Sequence, residues 1–137
     1  MSNSQPFIAA TYKESSKPND AAIIQLDVDS ILERLGNDRG LLNDLIDIYA
    51  ADIGPLLAEL SGAIGGQAVE RSVRAAHSIK GLASNFGVTS VSQGALRIER
   101  LAHAQDWSDI PKQLHELTRD ADTLKQTLEL LKLGKGQ

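Results

Sequence analysis

The chain has 137 residues, a net charge of -4 and no cysteine. This length is enough for one domain with a hydrophobic core, and the lack of cysteine excludes disulfides and thiolate zinc sites. The acidic balance, with no basic cluster interleaved with aromatic residues, argues against nucleic acid as a partner. We find no apolar run long enough to span a membrane and no secretory signal, so we expect a cytoplasmic protein.

The N-terminal part of the chain is predicted to be a flexible tail over residues 1–22, because it is rich in Ser, Asn, Lys and Pro and has little hydrophobic periodicity. One domain is expected over residues 23–133. Its first element is a short helix that Asp27 or Asp29 caps and Gly36 ends. The residues of this helix expected to face inward are Val28, Leu32 and Leu35.

A second, longer helix is predicted to start at Asp38, whose side chain is a suitable cap. Gly54 and Pro55 interrupt it, but the apolar stripe continues in phase across them. We therefore expect one kinked helix and not two separate helices. The apolar residues of this stripe are Leu42, Leu45, Tyr49, Ile53, Leu56 and Leu60.

Three more helices follow in the predicted order. The third runs from about Gln67 to Asn85, with Gly87 as its C-terminal cap, and is expected to turn Ala75, Ile79, Leu82 and Phe86 inward. Ser90 and Gln93 resemble a capping box that opens the fourth helix, which ends near Ala104. Its inward stripe is Val91, Ala95, Ile98 and Ala102.

The last helix is predicted to begin within residues 106–109, and Pro111 is tolerated in its first turn. It has the most regular apolar stripe in the chain: Ile110, Leu114, Leu117, Ala121, Leu124, Leu128 and Leu131. No alternating strand pattern is present, so the fold class is all-α. Four amphipathic helices joined by short turns predict an antiparallel up-down four-helix bundle, with the short first helix covering one end.

His77 lies on the outward side of the third predicted helix, roughly 180° from its apolar stripe. A lone histidine on a helix is more often an ordinary surface residue, but Lys80 and Gly81 on the same face favour a functional one. Glycine costs about 1 kcal/mol relative to alanine inside a helix, and close approach of another molecule would explain it. Ala76 and Ser84 are also small, which predicts a low surface around the ring. The residues expected to dock a partner are Val73, Arg74, Gly81 and Ser84.

The segment from His77 to Gly87 closely resembles the signature of histidine-containing phosphotransfer (HPt) domains, in which HxxKG is followed by small residues and a closing glycine. The resemblance extends over about residues 26–132 and leaves out the tail. It implies that His77 accepts a phosphoryl group from the aspartyl phosphate of one receiver domain and passes it to an aspartate of another. Neutral imidazole can attack phosphorus through a ring-nitrogen lone pair, and the solvent-facing Nε2 is the expected nucleophile.

Two further residues receive roles beside His77. Lys80 would offset the negative charge of the phosphoryl group, with an ordinary surface lysine as the alternative. The resemblance implies that Glu99, on the next helix, holds Nδ1–H and orients the ring. The alternative for Glu99 is a solvated carboxylate beside Arg97 and Arg100.

The resemblance implies partners but no resident cofactor. Receiver domains of response regulators or of hybrid histidine kinases would be the partners, and Mg²⁺ would belong to the receiver. The sequence has no glycine-rich phosphate loop, so we expect a phosphocarrier without ATP-dependent kinase activity. We also expect a monomer. His103 and His115 form no metal-ligand spacing with His77, and Trp107 is expected to close one bundle end.

Two alternatives remain open from the sequence. The chain could be a helical adaptor that docks on receiver or kinase domains without carrying phosphate. It could also be the phosphoacceptor domain of a chemotaxis-type histidine kinase, which would require a separate ATP-binding partner.

Overall fold

The computed structural model describes residues 26–135, which form five helices and no strand within that range. The predicted tail over residues 1–22 lies outside the described residues. The helices are α1 (Val28–Arg34), α2 (Arg39–Gly65), α3 (Val69–Ser84), α4 (Ser90–His103) and α5 (Ile110–Lys135). The all-α prediction is confirmed.

Helices α2 to α5 form an antiparallel up-down bundle in which neighbours along the chain are neighbours in space. Helix α3 packs between α2 and α4, and α5 packs between α4 and α2, which closes the ring. Helix α1 adds the buried side chains of Ile31 and Leu32 to the same core. No helix within residues 26–135 has the length and apolar character needed to cross a membrane.

Side-chain caps fix the starts of the first two helices as the sequence predicts. A carboxylate oxygen of Asp27 accepts a hydrogen bond from the Ser30 amide at 3.0 Å, and Asp38 accepts one from the Leu41 amide at 2.9 Å. Each bond satisfies a backbone N–H that the first helical turn leaves without a partner.

The capping box of α4 lies one residue earlier than predicted. Thr89 and Ser92 form it, not Ser90 and Gln93: the Thr89 hydroxyl accepts from the Ser92 amide at 3.1 Å, and the Ser92 hydroxyl accepts from the Thr89 amide at 2.9 Å. Thr89 has the extended backbone that a cap needs, whereas Ser90 is already helical. A serine hydroxyl thus replaces the usual glutamate or glutamine of the box.

Helix α2 is one continuous helix with Pro55 inside it, as expected. Its core face is centred differently from the prediction, because Leu45 and Leu56 are only half-buried whereas Ile46 is fully buried. A long helix that packs between two neighbours buries the face directed at the bundle axis, and Leu45 and Leu56 lie on its flank. This flank becomes important beside His77.

Tyr49 occupies the centre of the core. Its ring is fully buried and meets Phe86 edge to face, with ring centroids 5.9 Å apart. Its hydroxyl donates a hydrogen bond to the Ala121 carbonyl of α5 at 2.9 Å. Burial, and secondarily the charge of Asp122, raise the pKa of this phenol above its usual range. One side chain therefore joins α2, α5 and the segment after α3.

The inner face of α3 consists largely of small residues. Ala75, Ala76, Ile79 and Ala83 are buried, and Gly87 turns the chain after the helix with a positive φ of 97°. The expectation that Ala76 helps to keep the outer surface low is wrong, because Ala76 is fully buried. Its Cβ points at the core, one position before the histidine that points away from it.

The predicted inward stripes of the last two helices are largely confirmed. All four of the predicted α4 residues are buried, and in α5 only Leu114 and Leu131 are half-buried. Trp107 lies before α5 and packs against the core as a half-buried side chain.

Candidate functional site

His77 stands on the outer face of α3, and its side chain is 65% exposed. The adjacent residue Ala76 and the residue two positions on, Ile79, are both fully buried. The core thus fixes the helix on which the imidazole sits, while the ring itself stays open to solvent. This combination suits a side chain that must meet another molecule.

Glu99 connects α4 to the histidine and to the lysine one turn further along α3. One of its carboxylate oxygens, Oε2, lies 3.5 Å from His77 Nδ1, and the other, Oε1, lies 3.5 Å from Lys80 Nζ. The carboxylate side chain is only 20% exposed. Among the described residues Oε1 accepts no hydrogen bond, so the lysine ammonium is its electrostatic partner.

Nδ1 is the ring nitrogen of His77 that faces the carboxylate. With Nδ1 directed at Glu99, the Nδ1–H tautomer is favoured and the lone pair lies on Nε2, on the opposite side of the ring. A separation of 3.5 Å is longer than a normal N–H···O bond, so the contact is an electrostatic one at rest. It gains strength when the ring becomes positively charged.

Lys80 differs in one respect from its expected position. Its ammonium already faces Glu99, and its side chain is 29% exposed. A phosphoryl group on His77 would therefore share the lysine with the carboxylate. The Lys80 carbonyl additionally accepts a hydrogen bond from the Ser84 hydroxyl at 2.7 Å, which accounts for the side chain of Ser84.

Two open grooves flank His77. The first, here called the α2–α3 groove, has Gly81 in its wall, where an added Cβ would meet no atom within 4 Å. Packing within the bundle therefore does not explain this glycine, which is consistent with the close approach of another molecule. The residues lining the groove are Asp52, Pro55, Leu56, His77, Ser78, Gly81, Leu82 and Asn85.

The second groove, here called the α3–α4 groove, contains Glu99 and two of the four residues expected to dock a partner, Val73 and Arg74. Gly81 lines the other groove, and Ser84 lines neither, although it is exposed. The full lining of the α3–α4 groove is Val69, Glu70, Val73, Arg74, His77, Glu99 and His103.

Sequence reasoning missed the residues that other helices bring to these grooves. His103 could have been found, because it follows Glu99 by four positions and shares its helix face. Asp52, Pro55 and Leu56 had no comparable signal, since the sequence does not show which flank of α2 lies beside α3. The predicted core residue Leu82 is also half-buried and lines the α2–α3 groove.

No group of three or more His, Asp or Glu side chains in the described part of the chain is arranged to hold a metal ion. His115 lies on α5 as an exposed residue and lines neither groove.

The described helices thus form a bundle in which an exposed histidine lies beside a carboxylate and an ammonium. The Hpt domain family matches residues 44–131, which include His77, Lys80 and Glu99. The match covers well over half of the chain, and the chain belongs to this family. Its members act in histidine phosphotransfer within phosphorelays, as phosphocarriers and not as kinases, together with receiver domains and kinases.

The fold is also similar to a solved structure, that of histidine-containing phosphotransfer protein B (HptB) from Pseudomonas aeruginosa PAO1. The TM-score is 0.72 over 79% of this chain and 94% of that chain, at 18% sequence identity. Comparison with curated proteins gave no match. The structural likeness supports the bundle fold, and the resemblance seen in the sequence is confirmed at the level of the family.

Proposed function

We propose that His77 accepts a phosphoryl group from the aspartyl phosphate of one receiver domain and passes it to the aspartate of another. The observation that carries this proposal is the exposed imidazole whose Nδ1 lies 3.5 Å from the Glu99 carboxylate. That contact leaves Nε2 as the nitrogen available to an incoming phosphorus atom.

In the accepting step, the Nε2 lone pair attacks phosphorus in line with the bond to the aspartate oxygen. The P–N bond forms, the P–O bond breaks, and the aspartate leaves as a carboxylate. The ring keeps its proton on Nδ1 and becomes positive, and Glu99 compensates that charge. The donating step is the reverse, with the aspartate of the second receiver as nucleophile.

Lys80 supplies positive charge near the phosphoryl oxygens. A cation about 4 Å from a unit charge contributes about 1 kcal/mol in water and about 4 kcal/mol at the effective dielectric of a partly covered site. Docking of a receiver should therefore strengthen its effect. Mg²⁺ and the acidic cluster that binds it would belong to the receiver.

The test is phosphotransfer from a phosphorylated receiver with Mg²⁺, with the label followed on this chain. We expect label that is lost in acid and kept in alkali, and we expect none on His77→Gln. His103→Gln is the matched control, because His103 is also exposed and lines a groove beside His77. Equal labelling of wild type and His77→Gln would refute the proposal.

Incubation with ATP and Mg²⁺ alone is the second arm of this experiment, and we expect it to give no label. Labelling that needs ATP and a separate kinase would instead support a phosphoacceptor domain of a chemotaxis-type system. Receiver binding that persists without any label, and that is unchanged in His77→Gln, would support the adaptor alternative.

A further inference from the structure

A second apolar stripe runs along the flank of α2 and leads to the α2–α3 groove. Leu41 and Ile48 are 40% and 47% exposed, and they are two of the four large apolar side chains exposed in the described part of the chain. Leu45 and Leu56 are half-buried on the same flank. We call the set Leu41, Leu45, Ile48, Asp52 and Leu56 the α2 outer stripe.

The charges on α2 indicate what could cover this stripe. Helix α2 carries Asp44, Asp47, Asp52 and Glu59 but only one basic residue, Arg39, at its start. Asp47 is paired with Lys132 of α5. The other three acidic side chains have no ion pair among the described residues. A matching occupant would combine apolar side chains with positive charge.

Residues 7–17, which precede the described part of the chain, have this composition. They contain Phe7 and Tyr12, two of the five aromatic residues in the sequence, together with Ile8. Lys13 and Lys17 exceed the single carboxylate of the segment, so its net charge is positive. Aromatic residues supply large apolar area, which a wholly solvated polar tail does not need.

The chain is long enough for this contact. At about 3.3 Å per residue, the link from Lys17 to Leu26 spans up to about 30 Å, and Phe7 reaches about twice as far. The α2 outer stripe from Leu41 to Leu56 is about 22 Å long at 1.5 Å per helical residue. Leu26 is separated from the start of α2 only by α1 and two short connections.

We propose that residues 7–17 dock on the α2 outer stripe and its continuation in the α2–α3 groove, where they cover one side of His77. In this arrangement the apolar side chains of the segment, Phe7, Ile8 and Tyr12, contact Leu41 and Ile48. Lys13 and Lys17 face the carboxylates of α2 that have no ion pair among the described residues, which are Asp44, Asp52 and Glu59. If His77 exchanges phosphoryl groups with receivers, this contact also competes with them. That consequence rests on the proposed function, whereas the docking itself does not.

The docking is tested on the full chain by spin labelling. Because the sequence has no cysteine, Ser4→Cys provides a unique site for a nitroxide. We expect the label to broaden the amide signals of Ile48, Asp52 and Gly81 but not those of Arg97 and Gln113, which meet between α4 and α5. Uniform broadening, or broadening centred on another surface, would overturn the proposal.

Three variants separate this contact from a general collapse of the tail. Ile48→Asp should abolish the broadening, whereas Leu130→Asp, which changes a 58% exposed side chain on α5, should leave it intact. Phe7→Ser combined with Tyr12→Ser should abolish it as well. If Ile48→Asp has no effect, the α2 outer stripe is not the docking surface.

A mixing experiment shows whether the docked segment belongs to the same chain or to a second copy. Chain that carries the nitroxide but no ¹⁵N is mixed with ¹⁵N-enriched chain that carries no nitroxide. We expect no broadening of the ¹⁵N-enriched chain, because the contact is within one molecule. Broadening in the mixture would replace the proposal with a contact between two copies.

The functional consequence has its own readout. If the segment covers the groove about nine-tenths of the time, only about one-tenth of the wild-type molecules can bind a receiver. The Phe7→Ser/Tyr12→Ser double variant should then bind a receiver about tenfold more tightly than wild type. Labelling by phosphoramidate, a small donor that needs no docking, should be unchanged. Phosphoramidate transfers its phosphoryl group to Nε2 and releases ammonia. Failure of all labelling would refute the proposed function, while the spin-label result would still decide the docking.

Discussion

At the scale of single residues, Glu99 is the side chain that connects α4 to the histidine on α3. One carboxylate serves both His77 and Lys80, each at 3.5 Å. In the structure its oxygen Oε1 faces the lysine ammonium. If His77 is phosphorylated as proposed, the carboxylate would face a positive ring on one side, while the lysine would be attracted to the phosphoryl oxygens on the other. The same side chain can thus orient the nucleophile and help to place the counter-charge.

Glu99→Gln is predicted to slow phosphoryl acceptance by His77 by about tenfold, which corresponds to about 1.4 kcal/mol in the barrier. The amide retains the shape of the side chain but cannot compensate the positive ring. The free energy of unfolding should change by less than about 1 kcal/mol, because ion pairs near the surface contribute little. Single-turnover labelling and urea unfolding measure the two quantities.

The control for this variant is Glu70→Gln, since Glu70 is an exposed carboxylate in the same groove without an ion pair to His77. Equal slowing by the two substitutions would mean that the net charge of the groove matters and that Glu99 has no orienting role.

Gly81→Gln is predicted to preserve the fold and to slow transfer from a receiver. The added side chain meets no atom of the bundle within 4 Å of its Cβ, and replacing glycine inside a helix stabilises it by up to about 1 kcal/mol. The same side chain would obstruct a partner at the α2–α3 groove. The thermal midpoint should rise or stay level while the transfer rate falls.

Gly62→Gln is the matched substitution, because Gly62 is also an exposed helical glycine with open space and lines neither groove. It should stabilise the protein similarly without slowing transfer. Transfer at the wild-type rate in Gly81→Gln would show that clearance is not why glycine is present.

At the scale of elements, α3 presents the histidine and the other helices build its surroundings. Buried alanines on α3 allow the neighbouring helices to pack closely against it. Residues of α2 and α4 therefore line the two grooves on either side of the His77 ring. Tyr49 ties the long helices α2 and α5 together beneath this arrangement. The position of the groove walls therefore depends on packing in the core.

Tyr49→Phe is predicted to lower the free energy of unfolding by about 0.5–1.5 kcal/mol, the usual net contribution of one hydrogen bond. The ring contact with Phe86 survives, so the variant should fold and still accept phosphoryl groups. Urea unfolding near pH 7 measures the difference from wild type.

The stability difference between wild type and Tyr49→Phe is also predicted to depend on pH in alkaline solution. The folded state raises the pKa of the Tyr49 phenol, so the unfolded chain loses this proton first. The stability that wild type gains from its buried neutral phenol is fully present below about pH 10. Above that pH it is lost at about 1.4 kcal/mol per pH unit. The stability gap between wild type and Tyr49→Phe should therefore narrow above about pH 10. A constant gap would contradict the assigned burial of the phenol.

At the scale of the whole molecule, the bundle presents an exposed histidine between two grooves. The family to which the chain belongs carries phosphoryl groups between other domains. In the proposed relay, the partner contributes the reactive aspartate and the metal, while this chain contributes orientation and access. The acidic and apolar flank of α2 adds a second surface that continues from the groove beside His77.

The sequence alone determined the helices, most of their inward-facing residues and the histidine motif, because these depend on local periodicity, capping and short spacing. It placed the α4 cap one residue late, since Thr89 and Ser90 are equally capable hydroxyl residues and only the backbone distinguishes them. The family resemblance singled out Glu99, but its distance to His77 and to Lys80 depends on how α4 packs against α3. Only the tertiary structure decided which flank of α2 faces the histidine, because a helical stripe does not specify its neighbour.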